Sequence, residues 1–390
     1  MCDWRELRLL LLFVKKNVLI ILPTYNEAEN IGLMLDELIY LSKKHNGYKI
    51  DILVVDDRSP DGTGRIVKDY QKTNKNILLA SGRKSGLGDA YIRGMKYGIR
   101  LKKYFAFVMM DADFSHDPKV IPELLNELSL GRDCVIGSRY TRGGFIPGNW
   151  PILRILNSKI ANFLARLFIG FDSSITDLTG GFKAIKVESL QRLDLDNINA
   201  SGYFFQVSLL YALIEQEFRI SEIPISFSDR IRGNSKISKS DVLEFIRKAY
   251  SLNPNSRVRR ITTFAMVGTL GTLVNLITLS LLLKLIHLDP IIADALAIEV
   301  SIISNFYLNN KYTFRSGLST QSIKSQLSDF WKFNAGALAG ALISLFIFTV
   351  LYKLVGVNYV VADLIAIAMS VSWNYWISVR FVWKVENAIS

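Results

Sequence analysis

A mostly parallel α/β domain followed by an all-α bundle of four membrane-spanning helices is the fold class the sequence predicts. Three observations lead to it. From Asn17 to about Arg100, continuous apolar runs alternate with amphipathic stretches, the pattern of a parallel sheet covered on both faces. Two carboxylates, Asp111 and Asp113, follow the apolar aromatic run 104–108, and ligands bind where strands of an open α/β sheet end. From Ile261 onward, four apolar stretches (261–283, 291–308, 333–354 and 359–379) each approach the roughly 20 residues that span a bilayer.

Taken in order, NVLIIL (17–22) reads as the first strand, and PTYNEAENIG leads into a helix through Leu41. IDILVVDD (50–57) is the second strand, closed by the turn RSPDGTG and a helix to Tyr70. NILLAS (76–81) is the third; GRKSGLGDA then opens another helix, and the run before Asp111 is the fourth strand. The loops at the carboxyl ends carry Tyr25, Glu27, Asp56, Asp57, Lys84, Asp111 and Asp113, which parallel topology brings to one edge. Asp111 and Asp113 are two apart, so an extended chain points both the same way. Like charges so placed repel unless a cation joins them. A divalent ion carrying a diphosphate fits, because hard cations take carboxylate and phosphate oxygens together. Asp194 and Asp196 form a second such pair with no strand before it, and read as solvated loop carboxylates.

Composition narrows the class. The 390 residues carry a net charge of +12, and their mean hydropathy is +0.23. The basic residues flank apolar spans rather than forming an aromatic-interleaved patch, so they speak for membrane orientation and against nucleic acid. Cys2 and Cys134 lie far apart and give no disulfide or metal pattern. No dinucleotide fingerprint or phosphate loop is present, which disfavours nicotinamide or ATP chemistry. Residues 7–14 (LRLLLLFV) are short, preceded by acidic residues and lack a small-residue cleavage site, unlike a signal peptide.

The segments PTYNE, VVDDRSPDGT, GLGDAYIRG, MDADFSHDP, IGSRYTRGG, NWPILRILNSKIAN, TDLTGGFKAI, GYFFQ and RIRGNSK follow one another up to Lys236. Their order resembles that of dolichyl-phosphate mannose synthases, inverting nucleotide-sugar-dependent glycosyltransferases of family 2 with the GT-A fold. The resemblance implies that Pro23, Tyr25, Glu27, Val55 and Asp57 hold the nucleoside, with Lys84 in the same nucleotide-sugar site. It implies that Asp111, Ala112 and Asp113 line the diphosphate, with Mg²⁺ or Mn²⁺ on Asp111, Asp113 and Ser115. Ser115 stands where some members have a longer Gln ligand, so water is expected to complete the shell. Arg139, Arg230 and Lys236 then face phosphates, and Asp113, Arg139 and Arg230 form the catalytic set.

The acceptor is argued from what is missing. A sugar hydroxyl attacks poorly at neutral pH without a general base, and in this family that base is commonly an Asp at a helix start. The matching region here is SGYFFQVS (201–208), without a carboxylate. A phosphate monoester needs no deprotonation; it needs cations, and Arg139, Arg154 and Arg232 with Ser158 are the candidates. The expected function is transfer of mannose from GDP-mannose to dolichyl or another polyprenyl phosphate, with inversion. UDP-glucose-dependent transfer is an alternative. So is a lipid-linked sugar flippase with a nucleotide-sugar-sensing domain, against which the intact carboxylate pair and the basic loop argue.

Helical apolar spacing marks PILRILNSKIANFLARLF (151–168) and residues 241–260. Each reads either as a core-facing helix or as one lying in the headgroup plane. The expected divisions are an extension (1–16), a GT-A domain (17–238), a juxtamembrane amphipathic segment (239–260) and a transmembrane domain (261–383). Lys and Arg cluster before the first span, between the second and third, and after the fourth, which puts both termini and the catalytic domain in the cytoplasm. The two hairpins repeat: a shift of 69 residues puts Phe264 on Phe333, Gly271 on Gly340, Lys284 on Lys353, Asp294 on Asp363 and Asn305 on Asn374. Two spans per copy make this a parallel repeat about an axis normal to the membrane, similar to GtrA-like domains. Asp294, Asp363, Glu299, Asn275, Asn305 and Asn374 are read either as a polar headgroup path or as helix–helix glue, with placement at the membrane interface a further reading for Asp294 and Asp363 near their span starts.

Overall fold

The structure, a computed structural model, describes residues 15–45, 47–146, 152–169, 174–199, 202, 204–227, 239–253, 256–314 and 323–384. Its contacts divide the chain into two units, Met1–Asn253 and Pro254–Ser390.

In the first unit, strands β1 (Lys16–Thr24), β2 (Tyr48–Asp56), β3 (Ile77–Ser81), β4 (Ala106–Met109), β5 (Cys134–Ser138), β6 (Lys183–Lys186) and β7 (Ile220–Pro224) form one sheet, ordered β3-β2-β1-β4-β6-β5-β7. β1 to β4 are parallel, and β6 runs antiparallel to both β4 and β5. Because β6 is reversed, its start lies at the edge where β4 and β5 end. The register aligns Thr24 with Asp56 and Asp56 with Ser81, so the first three loops leave from one level.

Both faces are covered. Along β1, Leu19 and Ile21 enter one core, while Val18, Ile20 and Leu22 enter the other, all of them fully buried. The period of two explains the division, and burying each such side chain is worth about 1.5–3 kcal/mol. Helices α1 (Ala28–Lys44), α2 (Thr63–Thr73) and α4 (Ile121–Ser129) cover one face. Helices α3 (Leu87–Arg100), α5 (Ile152–Ile169), α7 (Phe204–Glu215) and α8 (Lys239–Leu252) cover the other, and a short α6 (Val187–Gln191) follows β6. α3 lies close on the sheet through Gly94 and Gly98. A Cβ at either would come within 2.7 Å of Ile21 or Phe107.

The two ambiguous amphipathic segments separate. α8 packs inward: Ala249 is fully buried, Phe245 meets Phe204 edge-on, and Asn253 Nδ2 donates to the Ile169 carbonyl at 2.7 Å. α5 buries Asn162, Ala165 and Ile169 but exposes Leu156, Ile160, Phe163 and Leu167, a stripe at helical spacing. Residues 239–260 are thus shared out, since Arg257 to Arg260 open the first span.

The second unit comprises α9 (Arg257–Lys284), α10 (Pro290–Leu308), α11 (Ile323–Thr349) and α12 (Tyr359–Ile377). With the turns that extend them, these are four helices long and apolar enough to cross a membrane. α11 begins ten residues before the expected third span, so Lys324 and Lys332 lie on a helix rather than in a loop. π-helical turns end α10 (Asn309–Thr313) and α12 (Ser378–Val382), 69 residues apart. The ring packing repeats as well. Phe264–Tyr375 at 5.5 Å matches Phe333–Phe306 at 5.7 Å, and Phe314–Tyr375 at 28° matches Trp383–Phe306 at 26°. Phe314 and Trp383, themselves equivalent, stack at 4.2 Å and so straddle the pseudo-twofold axis.

Candidate active site

Four loops at the carboxyl edge, those after β1, β2, β3 and β4, build a cleft of about 230 Å³, lined in part by Pro23, Tyr25, Glu27, Asp57, Lys84, Asp111, Ala112 and Asp113. Three of the four, those after β1, β2 and β4, hold one non-glycine residue in the left-handed region: Asn26 (φ 60°), Arg58 (φ 54°) and Phe114 (φ 62°). Such residues carry about 1–3 kcal/mol of strain apiece and collect at functional sites.

At the outer end the Tyr25 ring is over a third exposed, with Lys84 Nζ 3.6 Å from its centroid. Glu27 precedes α1; its N–H donates to Thr63 Oγ1, and its Oε2 accepts from Asn30. Asp61 accepts from the Ala28 N–H at 2.9 Å and from both the N–H and hydroxyl of Thr63. Partial burial of Asp61 raises its pKa, but these hydrogen bonds outweigh that and hold it below the ordinary value. Asp56 is occupied by Ser59 and Thr24, and Asp57 is paired with Arg93. The Val55 side chain is fully buried, so only its backbone is available to a ligand.

β4 ends at Met109, so Asp111 and Asp113 sit in a loop and not on an extended chain as expected. They still line one cleft. The loop is shaped by the Ser115 N–H donating to Asp113 Oδ1 at 3.0 Å and by the Asp111 N–H donating to His116 Nδ1 at 3.1 Å. Accepting at Nδ1 puts the neutral ring's proton on Nε2. His116 stacks on Phe182, 5.0 Å between centroids, and burial pushes its pKa below the ordinary value. The Tyr91 hydroxyl donates to Asp111 Oδ1 at 3.3 Å. Among the described residues no three His, Cys, Asp or Glu side chains form a metal cage. Asp111 and Asp113 bring hard oxygen donors to the cleft, Asp111 partly exposed and Asp113 buried with Ser115. That suits a divalent cation which keeps coordination positions for phosphate oxygens and water.

Arg139, expected to face phosphates, follows β5 and is held by an acidic partner. Its Nε and Nη2 each donate to Asp177 at 2.7 Å, and Nη2 also reaches Thr179 Oγ1 at 3.0 Å. The pair is buried. Burial works against the charge on Asp177, yet the Arg139 guanidinium holds its carboxyl below the ordinary range. Asp177 has both oxygens taken, and Nη1 is the part of Arg139 left for a further acceptor. Ser158 on α5 accepts from the Tyr140 hydroxyl at 2.7 Å. Arg154 lies on α5, but its side chain is outside the described residues, as are Arg230, Arg232 and Lys236.

Several polar residues of this edge escaped the sequence reading: Arg93, His116, Asp177, Lys183 and Gln206. Lys183 is fully buried, donates to the Gly180 carbonyl and to Gln206 Oε1, and has its pKa pulled down to about 8 by burial. All five lie inside the motifs quoted above. The available signal was a charged or amide residue set in an apolar run, as in GGFKAI and GYFFQ.

Residues 19–194 match the family model "Glycosyl transferase family 2", and residues 263–383 match "GtrA/DPMS, transmembrane domain". The chain is 34% identical to a dolichol-phosphate mannosyltransferase of Pyrococcus furiosus, over 94% of this chain and 99% of the relative. It is 38% identical to a polyprenol monophosphomannose synthase of Mycolicibacterium smegmatis, over 63% of this chain and 90% of the relative. Among solved structures, glucosyl-3-phosphoglycerate synthase from Mycobacterium tuberculosis aligns at 18% identity with a TM-score of 0.45, over 65% of this chain and 84% of that one.

Proposed function

The chain belongs to the dolichol-phosphate mannosyltransferase family of membrane-bound glycosyltransferases, and from that premise we propose that it transfers mannose from GDP-mannose to a polyprenyl phosphate, with inversion at the anomeric carbon. One observation carries this reading. Asp111 and Asp113 share a cleft with Tyr25 and Lys84, so a diphosphate and a nucleoside can be held together.

Pro23, Tyr25, Glu27, Asp57, Lys84 and the Val55 backbone take the nucleoside side. Asp111 and Asp113, with Ser115 beside them, hold Mg²⁺ or Mn²⁺, which when bound offsets charge on the departing nucleoside diphosphate. The acceptor phosphate arrives already ionised, so the engagement of both Asp177 oxygens is compatible with turnover. Asp177 instead fixes the Arg139 plane, leaving Nη1 to meet a phosphate. Arg154, Arg230, Arg232 and Lys236 supply further positive charge. The exposed apolar stripe of α5 suits the start of a polyprenyl chain at a lipid surface. The distribution of Lys and Arg supports a site on the cytoplasmic side.

A donor panel on the full-length protein in lipid vesicles with dolichyl phosphate and Mg²⁺ tests this. GDP-mannose is expected to be turned over at least about tenfold better than UDP-glucose or UDP-N-acetylglucosamine. Preference for either uridine donor, or a product with the donor's anomeric configuration, contradicts it.

A further inference from the structure

Beside the cleft, Gly181 opens a gap that three other residues surround. A Cβ built there would lie 3.4 Å from His116 Cε1, 3.6 Å from Gln206 Nε2 and 4.0 Å from Asp111 Oδ2. Gly181 itself is partly open, while Gln206 is 2% exposed. The orientation of the Gln206 amide is set by its neighbour. Lys183 Nζ can only donate, so the amide oxygen must face it, at 2.7 Å, and Nε2 must turn away. That Nε2 is buried and has no hydrogen-bond partner. Leaving a buried donor unmade is unfavourable by about 1–3 kcal/mol, so a group that arrives with an acceptor recovers that energy.

We infer that this cradle of Gly181, Gln206 and His116 beside Asp111 is the subsite for the transferred hexose, with Gln206 Nε2 donating to one sugar hydroxyl. The inference rests on the nucleotide-sugar reading above and adds a specificity-determining residue to it. Several features select a sugar hydroxyl over other ligands. The donor is a neutral amide, whereas an anionic acceptor phosphate is better met by the Arg139 guanidinium. The Cε1 edge of the His116 ring, whose face is stacked on Phe182, borders the gap. Asp111 lines the cleft that takes the diphosphate, so the sugar attached to that diphosphate falls next to it. Lys183 is a positioning residue: it ties the Gly180 carbonyl to the Gln206 oxygen and so aims the free N–H. A site that hydrogen-bonds a substrate hydroxyl discriminates strongly against analogues lacking it.

The test uses full-length protein in lipid vesicles and three variants, Gln206→Glu, Gln206→Leu and Gly181→Ala. Glu keeps the size of Gln and gains an ion pair to Lys183 while losing the N–H. The Gly181→Ala methyl meets only ordinary contact distances, so it fills the gap without breaking the fold. GDP affinity with Mg²⁺ is expected to stay within about twofold in all three. The kcat/KM for GDP-mannose is expected to fall about 10–100-fold, with KM for polyprenyl phosphate unchanged. Among 2-, 3-, 4- and 6-deoxy donors, one should lose a comparable factor in the wild type and suffer no further loss in Gln206→Leu. Equal penalties for every deoxy donor, an active Gly181→Ala, or a loss confined to the KM of the lipid overturns the inference. If Gln206→Leu loses GDP binding, the other two variants decide. A wild type that prefers UDP-glucose overturns the mannose reading alone, and the same comparison with deoxyglucose donors then judges the cradle.

Discussion

Each of the two units buries polar groups, but in different chemistry. In the catalytic unit several are charged and paired, Arg139 with Asp177, Arg93 with Asp57 and Lys186 with Asp133, beside neutral groups such as Asn162 and Gln206. In the membrane unit they are mostly neutral amides packed on small residues. Asn305 presses on Gly271 and Asn374 on Gly340, each close enough that a Cβ on the glycine would overlap the amide. The Asn310 oxygen accepts from the Trp383 indole at 3.1 Å. Removing a charge from water costs several kcal/mol, offset only by a well-made pair. An amide in lipid needs one partner or a close backbone. The first solution fixes geometry for chemistry; the second holds helices at close range without committing charge to the bilayer.

Six substitutions at five positions break or sharpen that contrast. Arg139→Ala strands the buried Asp177 carboxylate and should destabilise the catalytic unit by about 3–5 kcal/mol, read by thermal unfolding in detergent. Arg139→Lys should recover only part, because a lysine cannot make the two-pronged pair. Gly271→Ala should cost about 1–3 kcal/mol through overpacking. Gly340→Ala should match it within about 0.5 kcal/mol if the hairpins are true equivalents; a large inequality would refute the twofold. Asp61→Ala removes the carboxylate that caps α1, at about 1 kcal/mol. Since its folded pKa is below the ordinary 3.8, its contribution is present above that pH and is lost as the pH falls through the folded value. The gap between Asp61→Ala and wild type should therefore close in acid. Asn334→Ala removes the Nδ2 contact to Glu299, at 3.2 and 3.4 Å, and should cost about 0.6 kcal/mol. This pair has no counterpart in the other hairpin. Shifted by 69 residues, Glu299 falls on Ala368, and Ala265 falls on Asn334.

What could be read from the residues divides along the same line. Local periodicity gave β1 to β4, the helices between them and three of the four spans to within a few residues, because apolar period is a property of neighbouring positions; the third span starts ten residues early, at Ile323, where polar residues hide the helix. The 69-residue shift anticipated the Phe264/Phe333 and Asn305/Asn374 equivalences, since a repeat is visible without coordinates. The stacking of Phe314 on Trp383 was not visible, because it depends on where the axis falls. Long-range pairing was also hidden. Arg139 and Asp177 are 38 positions apart and meet because β6 runs backwards, a reversal no local pattern encodes. For the same reason the approach of Gln206 to Gly181 and Asp111 has no local signature in the sequence. Asp294 and Asp363, weighed as parts of a polar path, are exposed near the starts of their helices, where the interface reading suits them better. Asn305 and Asn374 fit the helix-glue reading.

The central claim is that two carboxylates at the strand ends hold a cation that lets an ionised lipid headgroup displace the nucleotide. Transfer of labelled mannose from GDP-mannose to dolichyl phosphate by the full-length protein, with EDTA and after adding back Mg²⁺ or Mn²⁺, tests it most directly. Transfer should stop with EDTA, return with either ion, and fall at least about 100-fold in Asp113→Ala. Undiminished transfer with every divalent ion chelated, or in Asp113→Ala, would contradict the account.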